Sequence, residues 1–369
     1  MKNFRNFLIG LTAAAALTLA GCGGSSSSGP AAGQDSDPTP VQNTVFSDPI
    51  TLNGLGGTFS AGITINADGL AVGIVTTEGG MIRGAKWQVT DESPQAISLD
   101  PLDGNVASAA YGINRAGIAV GESQGANSAV AVMWDEAGVI TALPVAGHEG
   151  SSSAYSINDL GLIVGESSPV AEGNSVAVMW DLDNGTSVSL HQAEWESSAA
   201  YYVHHDGLIV GEAKPANGPR RGVIWTPAGE GQFEVLLLAP ADNDPNATSV
   251  AFGVDQFGRV IGETQVDGVV SGTLWSVNVV GNGLEDETQV AGENVSLQAI
   301  NDHDRIVGYT DALSGNDRAG VWNLADTEDN QNVAEAFSQA YGVNSATQIV
   351  GVRISDSEYQ AFAVIPQTE

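Results

Sequence analysis

Ser153-Ala154-Tyr155-Ser156-Ile157-Asn158-Asp159-Leu160-Gly161-Leu162-Ile163-Val164-Gly165-Glu166 is the stretch from which the fold can be read. Ser153 to Ile157 and Leu162 to Glu166 are short β-prone runs, and the four residues between them have turn chemistry. Asn158 can hydrogen-bond its own backbone at the first turn position, and Gly161 can take positive φ at the fourth. The returning run is apolar at consecutive positions, so both of its faces must be covered. Downstream, Val176 to Trp180 and the segment from Ser187 to Leu190 supply two more strands, completing a four-stranded antiparallel unit.

The unit recurs along the chain. Aligned on a Val/Ile-Gly step, the copies place Gly73, Gly121, Gly165, Gly211, Gly262, Gly308 and Gly351 at intervals of 48, 44, 46, 51, 46 and 43 residues. Seven residues before each glycine stands Asn66, Asn114, Asn158, His204, Asp255, Asn301 or Asn344. Thirteen to fifteen residues after it comes Trp87, Trp134, Trp180, Trp225, Trp275 or Trp322, with Val364 in the last copy. The turn glycine persists in five copies and becomes Asp304 and Thr347 in the other two. A glycine in mid-strand is expected to mark close approach of a neighbouring sheet.

Four-stranded sheets that pair locally and need cover on both faces predict an all-β, closed seven-bladed β-propeller. The last copy supplies only three strands, Ala340 to Val343, Gln348 to Gly351 and Gln360 to Ile365, while Ile50-Thr51-Leu52 stands alone before the first copy. The N-terminal strand is therefore expected to complete the last blade. That closure hides edges which an open solenoid would leave exposed.

Ahead of each tryptophan lies a small residue: Gly84, Ala131, Ala177, Gly222, Gly272, Ala319, or Ala361 ahead of Val364. Together with the Ile-Asn turn and the Val-Gly step, this pattern resembles the HAF repeat family of extracellular bacterial proteins, from about Phe59 to Val364. The family's His-Ala-Phe triplet is degenerate here, with Gln360-Ala361-Phe362 coming nearest. The resemblance implies a repeat architecture and brings no catalytic residues with it.

The N-terminus supplies an address. Lys2 and Arg5 precede an apolar run from Phe7 to Ala20, too short to span a bilayer and suited to a signal peptide over residues 1–21. Leu19-Ala20-Gly21-Cys22 resembles the lipobox of bacterial lipoproteins, which implies that Cys22, the only cysteine, becomes the lipidated first residue. Gly23 follows it where the lipoprotein family's inner-membrane retention signal has aspartate, which implies an outer-membrane anchor, the side faced being left open. Residues 22–43 are Gly, Ser and Pro-rich and read as a flexible tether with a reach of about 25 Å. Residues 44–369 form the repeat body.

The chain has 12 Lys+Arg against 44 Asp+Glu, and removal of the signal peptide would take away two of the basic residues. Such a body repels nucleic acid and anionic headgroups, so its contact with the membrane is expected to be through the lipid on Cys22 alone. A monomer with a protein or glycan partner is the expectation.

Candidate binding residues are sought on the longest loops, which share the face on which one repeat leads into the next. Glu122, Glu166, Glu212 and Glu263 follow the Val-Gly step in four consecutive copies and read as solvated strand ends, or as a negative rim for a cationic partner. Trp195, flanked by Glu194 and near His191, stands outside the repeat register; it reads as packed against its blade or as a stacking platform. Lys214, Arg220 and Arg221 concentrate positive charge and could pair with the glutamates or recognise an acidic group. His204-His205-Asp206 reads as a variant of the asparagine turn rather than a metal site, and no cofactor is expected, a structural divalent ion in the channel being the one weighed. No assembled catalytic signature emerges, so a non-catalytic binding or scaffolding body comes first. A polysaccharide hydrolase or lyase using paired carboxylates on one propeller face comes second.

Overall fold

The computed structural model describes residues 44–367 apart from 146, 171–172, 230, 239, 241–243, 245, 279–282, 311–316, 327–329 and 356. The expected signal peptide, Cys22 and tether lie outside the described residues.

All regular structure is β. After β1 (Ile50–Thr51), the first repeat forms β2 (Gly56–Ile65), β3 (Leu70–Thr77), β4 (Ile82–Gln88) and β5 (Ile97–Leu99). The second forms β6 (Ala107–Ile113), β7 (Ala119–Gln124), β8 (Ala129–Trp134) and β9 (Ile140–Ala142). The third forms β10 (Ser152–Ile157), β11 (Leu162–Ser167), β12 (Val176–Asp181) and β13 (Thr186–Ser189). The fourth forms β14 (Trp195–Val203), β15 (Ile209–Pro215), β16 (Arg221–Gly229) and β17 (Gln232–Leu238). The fifth forms β18 (Thr248–Val254), β19 (Arg259–Val266), β20 (Val269–Asn278) and β21 (Gly283–Glu293). The sixth forms β22 (Val295–Ile300), β23 (Arg305–Thr310), β24 (Arg318–Asn323) and β25 (Gln331–Ala336). The last forms β26 (Ser338–Val343), β27 (Ile349–Ser355) and β28 (Glu358–Val364).

The sheet count corrects the expected seven blades. Five propeller blades are independent four-stranded antiparallel sheets, beginning at β6, β10, β14, β18 and β22. The remaining strands make one eight-stranded sheet in which β26-β27-β28 runs on into β2-β3-β4-β5 and β1 pairs with β28. The joint is a parallel pairing of Phe59 with Tyr359, whose rings lie 5.7 Å apart. The repeat specifies pairing within a unit; this seam joins two units, so repeat spacing does not report it. Ile50 and Thr51 of β1 pair with Ala363 and Phe362.

Around the axis, the second strand of one sheet packs on the first strand of the next, as β7 does on β10 and β15 on β18. Between repeats, Gly84, Ala131, Ala177, Gly222, Ala319 and Ala361 each donate a backbone N–H to Ser108, Ser152, Ser198, Ser249, Ser338 and Ser60 on the next inner strand, at 2.8–3.0 Å. The small residue is thus a contact requirement: a Cβ at Gly84 would stand 3.2 Å from the backbone nitrogen of Ala110. The repeated tryptophans fill the same gaps, with Trp87, Trp134 and Trp225 fully buried and their Nε1 atoms donating to the carbonyls of Asn53, Asp100 and Leu190.

Each inner strand carries a β-bulge opposite the mid-strand glycine, and the glycine exists because of it. In β10 the register slips between Ala154 and Ser156, leaving Tyr155 unpaired. The carbonyl of Ser153 then turns towards β11, where a Cβ on Gly165 would lie 2.0 Å from it. The close approach is therefore made by the paired strand of the same sheet, and not by a neighbouring sheet as expected. A bulge re-aims its extra side chain, and here that side chain points to the axis.

A channel of asparagine, tyrosine and glutamate

A cavity of about 690 Å³ runs along the axis. Its walls are built in three layers, each from one repeat position.

The first layer is the turns. Asn158 Oδ1 accepts from the N–H groups of Leu160 and Leu162, both at 3.0 Å, so the side chain shapes its own turn. Its Nδ2 then donates to the carbonyl of His204 in the next repeat at 3.0 Å. Asn66, Asn114, Asn301 and Asn344 make the same forward bond to the carbonyls of Asn114, Asn158, Asn344 and Asn66. This hydrogen-bonded girdle breaks where His204 and Asp255 replace asparagine. There Asp302 Oδ1 takes over, accepting from Gln256 N at 2.9 Å and lying 3.3 Å from His204 Nε2. His204 keeps the turn, with Asp206 N donating to its Nδ1 at 3.4 Å.

His204, His205 and Asp206 bring metal-ligand atoms within 4.8 Å of one another. His205 Nδ1 lies 3.0 Å from His204 Nε2, and His205 Nε2 lies 2.8 Å from Asp206 Oδ1. The three follow one another along a single turn, and two of them are exposed.

The second layer is a collar of bulge residues. Tyr111, Tyr155, Tyr201 and Phe252 follow one another with ring centroids 5.7, 5.7 and 6.0 Å apart, and Gln298, Tyr341 and Ile63 complete the circuit.

The third layer holds the glutamates, and the expectation of solvated strand ends is corrected here. The bulge brings the residue after each mid-strand glycine beneath the collar, so these side chains face the axis instead of bulk solvent. Glu122 is 1% exposed. Its Oε2 accepts from Ser153 Oγ at 2.5 Å, while Oε1 is buried with no partner among the described residues that meets hydrogen-bond geometry. Tyr155 Oη donates to Glu166 Oε1 at 3.0 Å. Glu212 lies 3.2 Å from Arg220 Nη1, and Glu263 Oε1 accepts from Ser296 Oγ. Among these, Glu122, Glu166 and Glu212 line the cavity with Arg220, whereas Glu263 is not part of its wall.

Burial disfavours the charged form of all four. It raises Glu122 above the usual carboxylate range against the opposing bonds of Ser153 and Tyr111. Glu212 and Glu263 are raised by the same cause, each partly offset by the Arg220 charge. Glu166 is pushed up to about 7, chiefly by burial, with the charges of Glu212 and Glu122 adding to it and bonds from Tyr155 and Ser175 opposing. The same burial holds the collar hydroxyls of Tyr111, Tyr155 and Tyr201 well above their ordinary range, so they remain donors.

The other candidate residues are not gathered with this layer. Trp195 is 7% exposed and packs edge-on against Trp225 at 6.2 Å and His191 at 5.9 Å, as part of the core between the third and fourth repeats. The Glu194 carbonyl accepts from Ala216 N. The basic cluster divides three ways: Lys214 pairs with Glu196, Arg221 donates to the Ala247 carbonyl, and Arg220 joins the glutamate layer.

The collar went unread in the sequence, although a signal was present. Tyr111 and Glu122, Tyr155 and Glu166, and Tyr201 and Glu212 share one eleven-residue spacing in three consecutive repeats. In the fifth, Phe252 has no hydroxyl for Glu263, and Ser296 supplies it instead.

No protein-family model and no curated protein sequence matches the chain. Solved structures do. Puromycin hydrolase is similar with a TM-score of 0.57 at 14% identity over 85% of this chain and 55% of that one. A prolyl endopeptidase gives 0.55 at 15% identity over 85% and 51%. Streptogramin B lyase gives 0.50 at 11% identity over 87% and 98%. The chain spans about half the length of the hydrolase and the endopeptidase. At these identities the likeness shows the propeller fold alone.

Proposed function

We propose that this protein is an outer-membrane lipoprotein, anchored through Cys22, whose body is a non-catalytic binding propeller that takes its protein or glycan ligand in the central channel. The address rests on the charged, apolar and Leu19-Ala20-Gly21-Cys22 segments of the N-terminus, and on the lipoprotein resemblance they carry. The HAF-like repeat fits the same extracellular setting. One observation carries the binding reading: half-buried and buried carboxylates, raised by desolvation, line a cavity large enough for a small ligand or a partner's side chain.

The test uses Ala299, which lines the channel at the register where the fourth repeat has Tyr202. Because Tyr202 stands at this position, Ala299→Tyr should fold and fill part of the channel. Oligosaccharides, peptides and fractions of the cell envelope are screened for a rise in the melting temperature of the full chain. Hits should lose that effect in Ala299→Tyr. Hits that bind both forms equally would move the site off the axis.

One observation favours a second reading, a polysaccharide hydrolase or lyase. Glu166, at about 7 with Glu122 and Glu212 in electrostatic reach, has the character of a general acid. Turnover on a polysaccharide panel, abolished in Glu166→Gln, would establish it; absence of turnover across the panel leaves the binding reading.

A further inference from the structure

We infer that the glutamate layer receives an organic ammonium group, while the hydrocarbon part of the same ligand lies against the aromatic collar. The inference rests on the channel being the binding site and adds the class of ligand.

Charge comes first. Glu122, Glu166 and Glu212 line the cavity from adjacent sheets, and among the described residues at their level Arg220 alone opposes them, paired with Glu212. An ammonium group would supply the missing positive charge without a long side chain to order. Glu122 Oε1 is buried, with no donor of good hydrogen-bond geometry among the described residues beside the nearby Tyr111 hydroxyl, and an ammonium N–H is the donor that binds a carboxylate most strongly.

The collar adds a second, independent preference. The continuous run of Tyr111, Tyr155, Tyr201 and Phe252 offers ring faces of negative potential directly above the carboxylates. The rest of the same level is closed by Gln298, Tyr341 and Ile63, which add one further ring and one aliphatic side chain for the ligand's body. A bare calcium-like ion fits less well, since it asks for six or more oxygens and has no use for aromatic walls. A neutral glycan would look for hydrogen-bond donors, but the Tyr155 hydroxyl and Arg220 are already directed at Glu166 and Glu212.

The chemistry has two sources, a free amine or a lysine side chain of a protein, and the test separates them. The full chain in mild detergent is titrated calorimetrically with benzylammonium, benzyl alcohol and Nα-acetyl-lysine amide. The cations should bind, benzyl alcohol should bind about tenfold or more weakly, and Glu166→Gln should weaken the cations by about tenfold. A bound cation favours ionised Glu166, so benzylammonium should bind several-fold tighter at pH 8 than at pH 6 and release protons near pH 7. Tighter binding of the lysine derivative than of benzylammonium assigns a protein side chain; the reverse assigns a free amine.

Equal affinity for benzyl alcohol would overturn the inference, and so would cation binding untouched by Glu166→Gln in a variant that melts as a folded protein. If only a neutral oligosaccharide binds, and Ala299→Tyr removes it, the channel stands and the ammonium inference falls. If cation binding survives Ala299→Tyr unchanged, both fall.

Discussion

The two halves of the repeat ring share a backbone and differ in chemistry. After the mid-strand glycine, one half carries Glu122, Glu166, Glu212 and Glu263, while the other carries Tyr309, Val352 and Ile74. Both halves have the same bulge and the same glycine under the same carbonyl. The comparison teaches that the repeat fixes where a side chain points, and leaves what it is free to vary. Each acid is met by a hydroxyl or by Arg220: Ser153, Tyr155 and Tyr201 stand in the acidic half, and Ser296 reaches Glu263 from the adjoining sixth repeat.

The strongest way to break this comparison is to move the acid across. Ile74 is 1% exposed and packs with Ala109 and Tyr111 among apolar neighbours. Ile74→Glu should cost about 3–5 kcal/mol, the range for a buried charge without a compensating partner, read as a lower urea midpoint. A cost below about 1 kcal/mol would mean that the acidic half needs no special partners.

Neutralising the acidic half should do the opposite, and only at high pH. Glu166 sits at about 7 in the folded chain against 4.5 as the unperturbed value. Between those values the folded state holds the proton more tightly, so stability from this group is complete below about pH 4.5 and is lost as pH rises through 7. Glu166→Gln should therefore melt like the parent at pH 5 and exceed it by up to about 3 kcal/mol at pH 8. Equal melting at pH 8 would show that ionising Glu166 costs the fold nothing.

The smallest effect sharpens the shared part of the design. Gly161 has φ 75° in the acidic half, while Thr347 has φ 59° at the same position in the other. A β-branched residue is strained there. Thr347→Gly should stabilise by about 1 kcal/mol, and Gly161→Thr should destabilise by a similar amount or more in chemical melts.

Much of this molecule could be read before its structure was seen. The Asn158-to-Gly161 turn, the four short strands and the period follow from local chemistry that repeats. What could not be read is what depends on contact between repeats. The Nδ2 of Asn158 has an unsuspected second duty towards His204, because a turn motif accounts for the side chain without it. Glutamates followed by Ser123 or Ser167 look like strand ends; their inward aim follows from a bulge that alternation patterns do not report. The Phe59–Tyr359 seam, which reduces the independent blades to five, joins residues at opposite ends of the repeat array. Trp195, outside the register, packs in the core, which is the first of the two readings its sequence setting allows.

The seam also sets the order of events in time. Each of the five independent blades can form as soon as its own residues are available, since its pairings are local in sequence. The β1–β28 latch is different: Ile365 N donates to Ser47 Oγ across 318 residues of chain. A chain made from its N-terminus must therefore keep its first strand waiting until its last has arrived. Closure is the slow, high-contact-order step, and until it happens the unpaired edge of β28's sheet is open to any other strand within reach.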